Sequence, residues 1–420
     1  MGDCYTGTPS KLGFGLMRLP RDEKGNIDVE ETSRMVDAFL AAGLTYFDTA
    51  YVYEGSEEAI RKALVERHPR NTYTLTDKLN VNAAKNEEEA KKQIQVSLER
   101  TGAGFFDYYL LHAISEDNAS RYEKFRIWDY MHELLQKGLI RHYGFSFHGK
   151  PELLDRLLSE HPDVAFVQLQ INYADWESPT VQARRNWEVC RKYGKQVVVM
   201  EPVKGGTLAN PPEAASEIFK EADPAASFAS WAIRWVASKE GIMTVLSGMS
   251  SLSQMQDNLS FMAPFAPMTA KEKETVELAQ KALAGIRNIP CTACHYCTGG
   301  CPKKISIPDI FSAMNTYLVF GDLAKAKQNY AWNTHEAKAS DCIRCGQCER
   351  QCPQHLPIRE LLAKTAEKLE AREWIGPFCS RWRTALSSRR SGTRRHWSRA
   401  FRVRSASSFS LALTLSASRR

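Results

Sequence analysis

The sequence has no long run of apolar residues. Its best candidate for a membrane span, SSFSLALTLSAS near the end, is far shorter than the ~20 apolar residues that a transmembrane helix needs. The first twenty residues also lack the apolar segment of a secretion signal. We therefore expect a cytoplasmic protein with no membrane span. With 420 residues, 43% of them hydrophobic and 25% charged, the chain is typical of globular proteins with two or three domains.

Acidic residues and lysine are missing from residues 376–420, which contain eleven arginines. The net charge of +7 comes from this tail, because the other residues have 45 Lys and Arg against 49 Asp and Glu. A mildly acidic body gives no reason to expect a nucleic-acid partner. The tail is rich in serine and its apolar residues follow no period, so we expect it to be disordered. It is either a basic interaction arm or an extension without function.

Cysteine is scarce outside two short blocks. Eight of the eleven cysteines occur in two copies of the spacing C-x2-C-x2-C-x3-C followed by proline, whereas Cys4, Cys190 and Cys379 stand alone. In a chain without a secretion signal, thiolates at this spacing are typical metal ligands. Two C-x2-C pairs would normally satisfy zinc, and a third cysteine with a fourth before proline favours a cubane cluster. The sequence therefore predicts two [4Fe-4S] clusters.

Each predicted cluster takes three cysteines from one block and the fourth from the other, as in two-cluster ferredoxins. The two ligand sets are Cys291, Cys294, Cys297 and Cys352, and Cys342, Cys345, Cys348 and Cys301. Between the blocks, DIFSAMNTYLVF and DLAKAKQNYAW have helical spacing. Residues 287–372 thus resemble a small α-helical dicluster ferredoxin-like domain, preceded by a helical linker at 264–286. The cations beside the blocks either tune the clusters, guide a partner or are ordinary surface charges; they are Lys303, Lys304, Arg344 and Arg350.

Residues 10–263 have a different organisation, in which short β-rich runs alternate with amphipathic helical stretches such as VEETSRMVDAFLAAG. The predicted strands are KLGFGLM, LTYFDTA, TYTLTDK, FFDYYLLH, LIRHYGFS, VAFVQLQ, QVVVME and MTVLSG. Eight strands with intervening helices over about 250 residues predict an α/β fold, a closed (β/α)8 or TIM barrel. In such barrels the chemistry takes place at the C-terminal ends of the strands.

Four polar residues fall at or just after predicted strand ends: Asp48, Tyr53, Lys78 and His112. Any one of them alone would most simply be structural. A phenol is a poor acid at pH 7 unless a cation stabilises its anion, and Lys78 can supply that cation while Asp48 holds it in place. His112 can then donate a hydrogen bond to a carbonyl oxygen that Tyr53 protonates.

These residues resemble the Asp, Tyr, Lys and His tetrad of the aldo/keto reductase family, in chain order and approximate spacing. The string FDTAYVYEGSEEAIRKAL is similar to the family's segment around its acidic tyrosine. The resemblance covers residues 10–263 and implies an NAD(P)H-dependent reductase of a small aldehyde or ketone. With the cysteine blocks, the whole chain resembles a bacterial subgroup whose members carry a C-terminal 4Fe-4S dicluster domain.

The resemblance also implies cofactor contacts. GFSFH and FVQLQINY are similar to the family segments that bind the nicotinamide carboxamide, through Ser146 and Gln168, although Phe147 stands where an asparagine is common. LSGMSSLSQMQDNL resembles the adenosine-phosphate segment. There the implied contacts are Gly248, Ser250, Gln254, Asp257 and Asn258. Because this segment has no Lys or Arg for a 2′-phosphate, NAD(H) is favoured over NADP(H).

Two functions remain open. In one, the protein is a carbonyl reductase whose clusters transfer electrons or stabilise the fold. In the other, the barrel has lost its reductase activity and the protein is an electron-transfer or redox-sensing protein. A hydride carries two electrons and a cubane normally moves one, so coupling the two needs an intermediary such as a flavin or an external electron carrier. The sequence contains no separate flavin domain, but a flavin is not excluded.

Overall fold

The computed structural model describes residues 9–371 of the chain. Eight parallel strands form a closed barrel in which each strand pairs with the next and the last pairs with the first. The strands are β1 Leu12–Gly15, β2 Tyr46–Asp48, β3 Thr74–Leu79, β4 Phe106–Ile114, β5 Ile140–Phe147, β6 Phe166–Gln170, β7 Gln196–Met200 and β8 Ile242–Ser247. Each lies within or overlaps a predicted strand, so the barrel prediction is confirmed. The predicted disordered tail, 376–420, lies outside the described residues.

The interior of the barrel follows from the two-residue alternation of strands. Five buried apolar side chains, one each from β2, β4, β6, β7 and β8, form a cluster that is separate from the main core: Tyr46, Leu110, Phe166, Val198 and Leu246. The residue two positions later points to the same side of its strand, and in β2, β4 and β6 it is Asp48, His112 and Gln168. The alternation therefore fills the interior of the barrel with apolar side chains and places polar side chains at the C-terminal ends of the strands.

In the described part of the chain, eleven α-helices accompany the barrel. They are α1 Val29–Ala41, α2 Ser56–Ile60, α3 Glu87–Thr101, α4 Ala119–Lys124, α5 Ile127–Gln136, α6 Pro151–Glu160, α7 Ala183–Lys192, α8 Glu213–Ala222, α9 Phe228–Ala237, α10 Leu252–Met262 and α11 Ala270–Ala284. Side-chain caps begin several of them; Asp28 and Asn86, for example, accept hydrogen bonds from backbone N–H groups in the first turns of α1 and α3. Their buried faces join the strands in one large hydrophobic core.

Helix α11 occupies most of the predicted linker, 264–286. It packs on α8, and Val276, Ala279 and Leu283 belong to the hydrophobic core of the barrel. A capping box at Thr269 and Glu272 starts the helix. Residues 270–284 of the predicted linker are thus helical, and this helix packs as part of the barrel unit. The domain boundaries themselves stay predictions.

The C-terminal region has its own, smaller hydrophobic cluster. Its helices are α12 Ile307–Phe320, α13 Leu323–Asn333, α14 Gln347–Gln351 and α15 Ile358–Leu369, and the first two cover the segments predicted to be helical. Gly321 ends α12 with a φ of +69°, a conformation that glycine adopts without a steric penalty. No helix within residues 9–371 is long and apolar enough to cross a membrane.

The turn between α12 and α13 touches the barrel beside the loop that follows β7. The Lys204 ammonium lies 5.8 Å from the centre of the Phe320 ring, and the Thr207 hydroxyl lies 3.5 Å from a carboxylate oxygen of Asp322. Because this loop extends from the C-terminal end of a strand, the helical region contacts the end of the barrel at which the polar residues converge.

Candidate active site and cluster cavities

Lys78 is the centre of the polar group at the C-terminal end of the barrel. Its Nζ lies 2.5 Å from Oδ1 of Asp48 and 2.5 Å from the backbone oxygen of Thr49. The side chains of Lys78 and Asp48 are 0% and 4% exposed. Gln168 donates from Nε2 to the other Asp48 oxygen at 3.2 Å. Asp48 of β2 and Lys78 of the neighbouring β3 thus form a buried ion pair, and Gln168 of β6 binds the Asp48 carboxylate from across the barrel.

Tyr53 and His112 lie next to this ion pair. The loop after β2 turns back through a hydrogen bond from the Tyr53 N–H to Ala50 O, and the Lys78 Nζ lies 4.9 Å from the centre of the Tyr53 ring. The rings of Tyr53 and His112 meet edge to face, with their centroids 5.6 Å apart. The structure therefore brings all four predicted tetrad residues together.

Electrostatics keep the ammonium charged. Burial by itself disfavours the charged form of Lys78, but Asp48 and Tyr53 outweigh it and raise the pKa of Lys78 above its ordinary value. For Asp48, burial raises the pKa and the Lys78 ammonium opposes that rise. We assign the pair as ammonium and carboxylate, because each charge would otherwise be buried without compensation.

Two opposing effects set the pKa of Tyr53. Lys78 does lower the pKa of the phenol, but burial raises it more, so that its pKa lies above the ordinary value of 10. The ring keeps some contact with solvent, while its hydroxyl stays protonated at neutral pH. Burial, then Lys78 and His148, lower the pKa of His112 well below its usual range. At neutral pH the site therefore offers a neutral phenol and a neutral imidazole around a fixed cation.

The two predicted nicotinamide contacts lie inside the barrel and already have protein partners. Ser146 Oγ accepts a hydrogen bond from the Ala113 N–H, next to His112, at 2.6 Å. Gln168 is bound to Asp48. The Ser146 hydroxyl keeps its own proton to donate, and the Gln168 amide keeps its oxygen. Both therefore retain one group for a further ligand.

The other five predicted cofactor residues lie at the end of β8, in the following loop and on α10: Gly248, Ser250, Gln254, Asp257 and Asn258. Gly248 and Ser250 are exposed, and the Ser250 hydroxyl binds Arg18 O at 2.7 Å. Asp257 accepts a hydrogen bond from Ser227 at 2.9 Å. Asn258 is buried, and its Oδ1 has no partner among the described residues. The loop is open, but the structure gives no direct contact between it and the tetrad.

A carboxylate that the sequence analysis missed lies at this loop. Glu31 of α1 accepts a hydrogen bond from the Leu252 N–H at the start of α10, at 2.9 Å, and also pairs with Arg34 at 2.6 Å. The Leu252 N–H, followed by Arg34, lowers the pKa of Glu31. Ser251 and Gln254 side chains accept from two further N–H groups there. The anion-binding end of α10 is therefore already occupied by side chains, one of them negatively charged.

A second missed feature is a pair of buried carboxyl groups behind Lys78. Asp77 accepts a hydrogen bond from the Lys78 N–H at 2.7 Å, and Glu57 of α2 accepts one from Arg100 at 2.8 Å. One oxygen of each carboxyl group is buried without another hydrogen-bonding partner. Burial, and then Glu57, raise the pKa of Asp77 well above its usual value. A proton on Asp77 that is shared with Glu57 satisfies both oxygens.

The barrel mouth also receives a cation from the helical region. Glu201, just after β7, pairs with Arg18 at 3.1 Å. Lys325 of α13 approaches the same carboxylate. A Cβ on Gly205 would lie 2.7 Å from Lys325 Nζ and 3.1 Å from Glu201 Oε2, so the two charged groups are near each other. Burial lowers the pKa of Lys325 and Glu201 opposes that change. The helical region thus contributes a charged side chain to the mouth of the barrel.

The eight block cysteines line two cavities. The first cavity is lined by Cys291, Cys294, Cys297 and Cys352. The second is lined by Cys301, Cys342, Cys345 and Cys348. Each cavity thus combines three cysteines of one block with the fourth of the other, which is the combination that the spacing predicts.

The donor set of these cavities suits a cluster better than a single ion. Within residues 9–371, no three His, Cys, Asp or Glu side chains converge closely enough to bind one metal ion, and the nine cysteines of that range are free thiols. Four thiols lining one cavity are the donor set that a [4Fe-4S] cluster would use. Burial raises the pKa of Cys297 to about 12, so a metal must displace a proton there.

Comparison with known proteins agrees with both parts of the structure. Residues 11–280 match the aldo/keto reductase family. The chain belongs to the aldo/keto reductase family. Residues 290–357 match the 4Fe-4S dicluster domain, so the predicted fold, a TIM barrel followed by a small helical dicluster domain, is confirmed.

Three relatives illustrate the likeness. The aldo-keto reductase str7 of Strobilurus tenacellus is 29% identical over 211 residues, which are 47% of this chain and 60% of that protein. The holo form of the aldo-keto reductase AKR11C1 from Bacillus halodurans superposes with a TM-score of 0.52 at 25% identity, over 65% of this chain and 92% of that one. An aldo/keto reductase from Klebsiella pneumoniae in complex with NADP and acetate has a TM-score of 0.53 at 19% identity, with the same coverage of both chains.

Proposed function

We propose that this aldo/keto reductase reduces the carbonyl group of a small aldehyde or ketone at the expense of NADH or NADPH. A bound nicotinamide would supply the hydride. The observation that carries the proposal is the meeting of Tyr53, Lys78, Asp48 and His112 around one polar centre. These are the groups that protonation of a carbonyl oxygen needs.

Each side chain has a separate task in this proposal. Tyr53 donates its proton to the substrate oxygen, and its raised pKa keeps that proton available. Lys78 stabilises the phenolate that remains, and the bonds to Asp48 and Thr49 hold the ammonium in position. The neutral ring of His112 donates a hydrogen bond that orients the carbonyl group.

The proposed cofactor contacts are Ser146 and Gln168 for the carboxamide and the β8–α10 loop for the adenosine phosphate. The groups left free on Ser146 and Gln168 support the first part. NAD(H) is the preferred cofactor in this proposal, because Glu31 places a carboxylate at the start of α10 and would oppose a 2′-phosphate. Comparing the KM values for NADH and NADPH tests this choice.

The eight cysteines that line the two cavities are the proposed ligands of two [4Fe-4S] clusters. Bound clusters would supply one-electron transfer. The thiols would hold them in the combinations that the cavities display, and an external one-electron carrier is part of the proposal. Cytoplasmic localisation stays a prediction; a reducing compartment would keep these thiols available.

The test is an anaerobic preparation in which iron and sulfide are assayed and NADH and NADPH oxidation is screened with aldehydes, ketones and quinones. Tyr53→Phe should reduce turnover by about 10²–10⁴-fold. Tyr51→Phe, in the same loop, is the matched control and should keep most of the activity. Full turnover in Tyr53→Phe would overturn the assigned mechanism. A wild-type protein that holds iron but oxidises neither nucleotide would favour the electron-transfer alternative.

The proposed ligand combinations have their own test in paired substitutions. Cys352→Ser with Cys291→Ser removes two thiols from the first cavity and should lower the iron content from roughly eight atoms per chain to about four. Cys352→Ser with Cys342→Ser affects both cavities and should remove nearly all of it. Equal iron content in the two double variants would contradict the combinations, and Cys190→Ser is the control.

A further inference from the structure

The two cysteine-lined cavities differ in the charge that surrounds them. The residues lining the first cavity include no Lys, Arg, Asp or Glu. The second cavity is lined by Lys303 and Arg359 as well as by its four cysteines. The two proposed clusters therefore lie in different electrostatic surroundings, although their thiol donors are equivalent.

Further cations surround the second cavity. Gly346 is one of the residues that line it. A Cβ on Gly346 would lie 3.8 Å from the Arg350 guanidinium and 3.6 Å from that of Arg359, so both cations are close to this edge of the cavity. Arg344 stands in the chain between Ile343 and Cys345, which both line the cavity, and the Arg359 guanidinium lies 3.5 Å from its backbone oxygen. We call Lys303, Arg344, Arg350 and Arg359 the basic rim.

Little negative charge offsets the basic rim. Glu349 binds Arg359 at 2.7 Å, and Arg359 lowers the pKa of that carboxyl. Within the part of the chain that the structure describes, the other three cations form no ion pair, and all three are exposed. The rim therefore keeps a net positive charge that faces solvent.

An apolar residue and a ligand thiol lie exposed among these cations. Ile343, which lines the second cavity, is 57% exposed, and Cys345 of the same cavity is exposed as well. An apolar centre within a charged rim is the usual composition of a protein-binding surface. A rim of one sign steers partners of the opposite sign.

We propose that the basic rim docks an acidic protein that carries one electron, and that the cluster of the second cavity is the one that exchanges electrons with it. The inference rests on the proposed cluster ligation. In the exchange the carrier is oxidised by one electron and the cluster is reduced by one, or the reverse, and no bond forms or breaks. A nucleic acid would also be attracted to these cations, but the exposed Ile343 and the exposed ligand residue Cys345 favour a redox protein.

The experiment uses the full-length holoprotein under anaerobic conditions, with an acidic flavodoxin and an acidic [2Fe-2S] ferredoxin as probes and basic cytochrome c for comparison. Binding is measured by surface plasmon resonance at low and high salt, and electron transfer by stopped flow. We expect at least one acidic probe to bind with an affinity that falls as salt rises. Arg344→Glu with Arg350→Glu should slow its association by about tenfold or more.

The matched control is Lys271→Glu with Lys281→Glu, two exposed lysines of α11 that line neither cavity. It changes the net charge by the same amount and should leave binding unchanged. Iron content and NADH-dependent reduction should be unchanged in both pairs, which separates failure of the docking surface from failure of the proposed function. If the glutamate variants lose iron, glutamine at the same two positions removes the positive charge more mildly. The proposal is overturned if neither acidic probe binds at low salt, if both charge-reversal pairs weaken binding alike, or if cytochrome c or duplex DNA binds more tightly.

Discussion

Removing the ammonium of Lys78 tests the central ion pair by stability as well as by activity. Lys78→Met keeps an unbranched side chain but leaves the carboxylate of Asp48 buried, with Gln168 as its remaining partner, and leaves Thr49 O without a donor. Because both members of the pair are almost completely buried, the loss should approach the ~3–5 kcal/mol that breaking a buried pair costs. For a barrel of this size that corresponds to a melting temperature roughly 6–20 °C lower.

The second part of the experiment identifies the cause of that loss. Adding Asp48→Asn to Lys78→Met removes the uncompensated charge and should recover a substantial part of the stability, so the two substitutions will not be additive. Activity should not recover, because Tyr53 would have no cation to stabilise its anion. Thermal melts followed by circular dichroism and NADH oxidation rates measure the two effects. A single variant that melts within about 2 °C of the wild type, less than ~1 kcal/mol, would refute the buried-pair assignment, and so would fully additive losses.

Three further predictions concern the barrel. Since the raised pKa of Asp77 means that the folded state holds a proton that the unfolded chain releases, stability should fall as pH rises above ~4, by up to about 1.4 kcal/mol per pH unit until Asp77 ionises. Asp77→Asn should flatten this fall in melts between pH 4 and 8, and parallel curves would contradict it. Glu31→Gln removes a negative charge from the start of α10 and the shorter of the two ion pairs of Arg34, so the ratio of kcat/KM for NADPH over NADH should rise about two- to fivefold. Glu30→Gln removes only the longer, exposed pair with Arg34, at 3.5 Å, and leaves the carboxylate at α10 in place, so it should change that ratio much less. In Gly144→Ala the new Cβ would meet the backbone oxygen of Phe166 and lie 2.8 Å from its ring, which should cost about 1–3 kcal/mol in urea unfolding. Its control, Gly15→Ala, has its nearest neighbour at 3.5 Å and should cost clearly less.

The fold was predictable because each strand carries its own signal. Runs such as QVVVME are short, β-branched and bounded by turns, and eight of them separated by helical stretches leave few arrangements other than a barrel. The tetrad could be found for the same reason, since Asp48 and Lys78 stand at strand ends that the closed barrel brings together. The cysteine blocks could be assigned from spacing alone.

The missed features depend on contacts between residues far apart in the chain. Nothing local in the sequence indicates that Glu31 reaches the start of a helix 221 positions later, or that Asp77 and Glu57 meet behind Lys78. The direction of the Tyr53 pKa shift could not be predicted for a related reason: the effect of Lys78 can be expected from the sequence, but burial depends on the packing of the whole barrel mouth. The boundary at α11 is similar, because helical periodicity predicts the helix and not the surface on which it packs.

The sharing of thiols between the two blocks has a topological consequence. Along the chain, the ligand set of the first cavity spans residues 291–352, and that of the second spans residues 301–348, so the second segment lies within the first. Bound clusters would link residues this far apart and so would remove much of the conformational freedom of the unfolded segment, as disulfides do in small secreted proteins. The supply of iron would then decide whether the C-terminal region is ordered or largely unfolded. The barrel before it has a large apolar core of its own and would stay folded in either case.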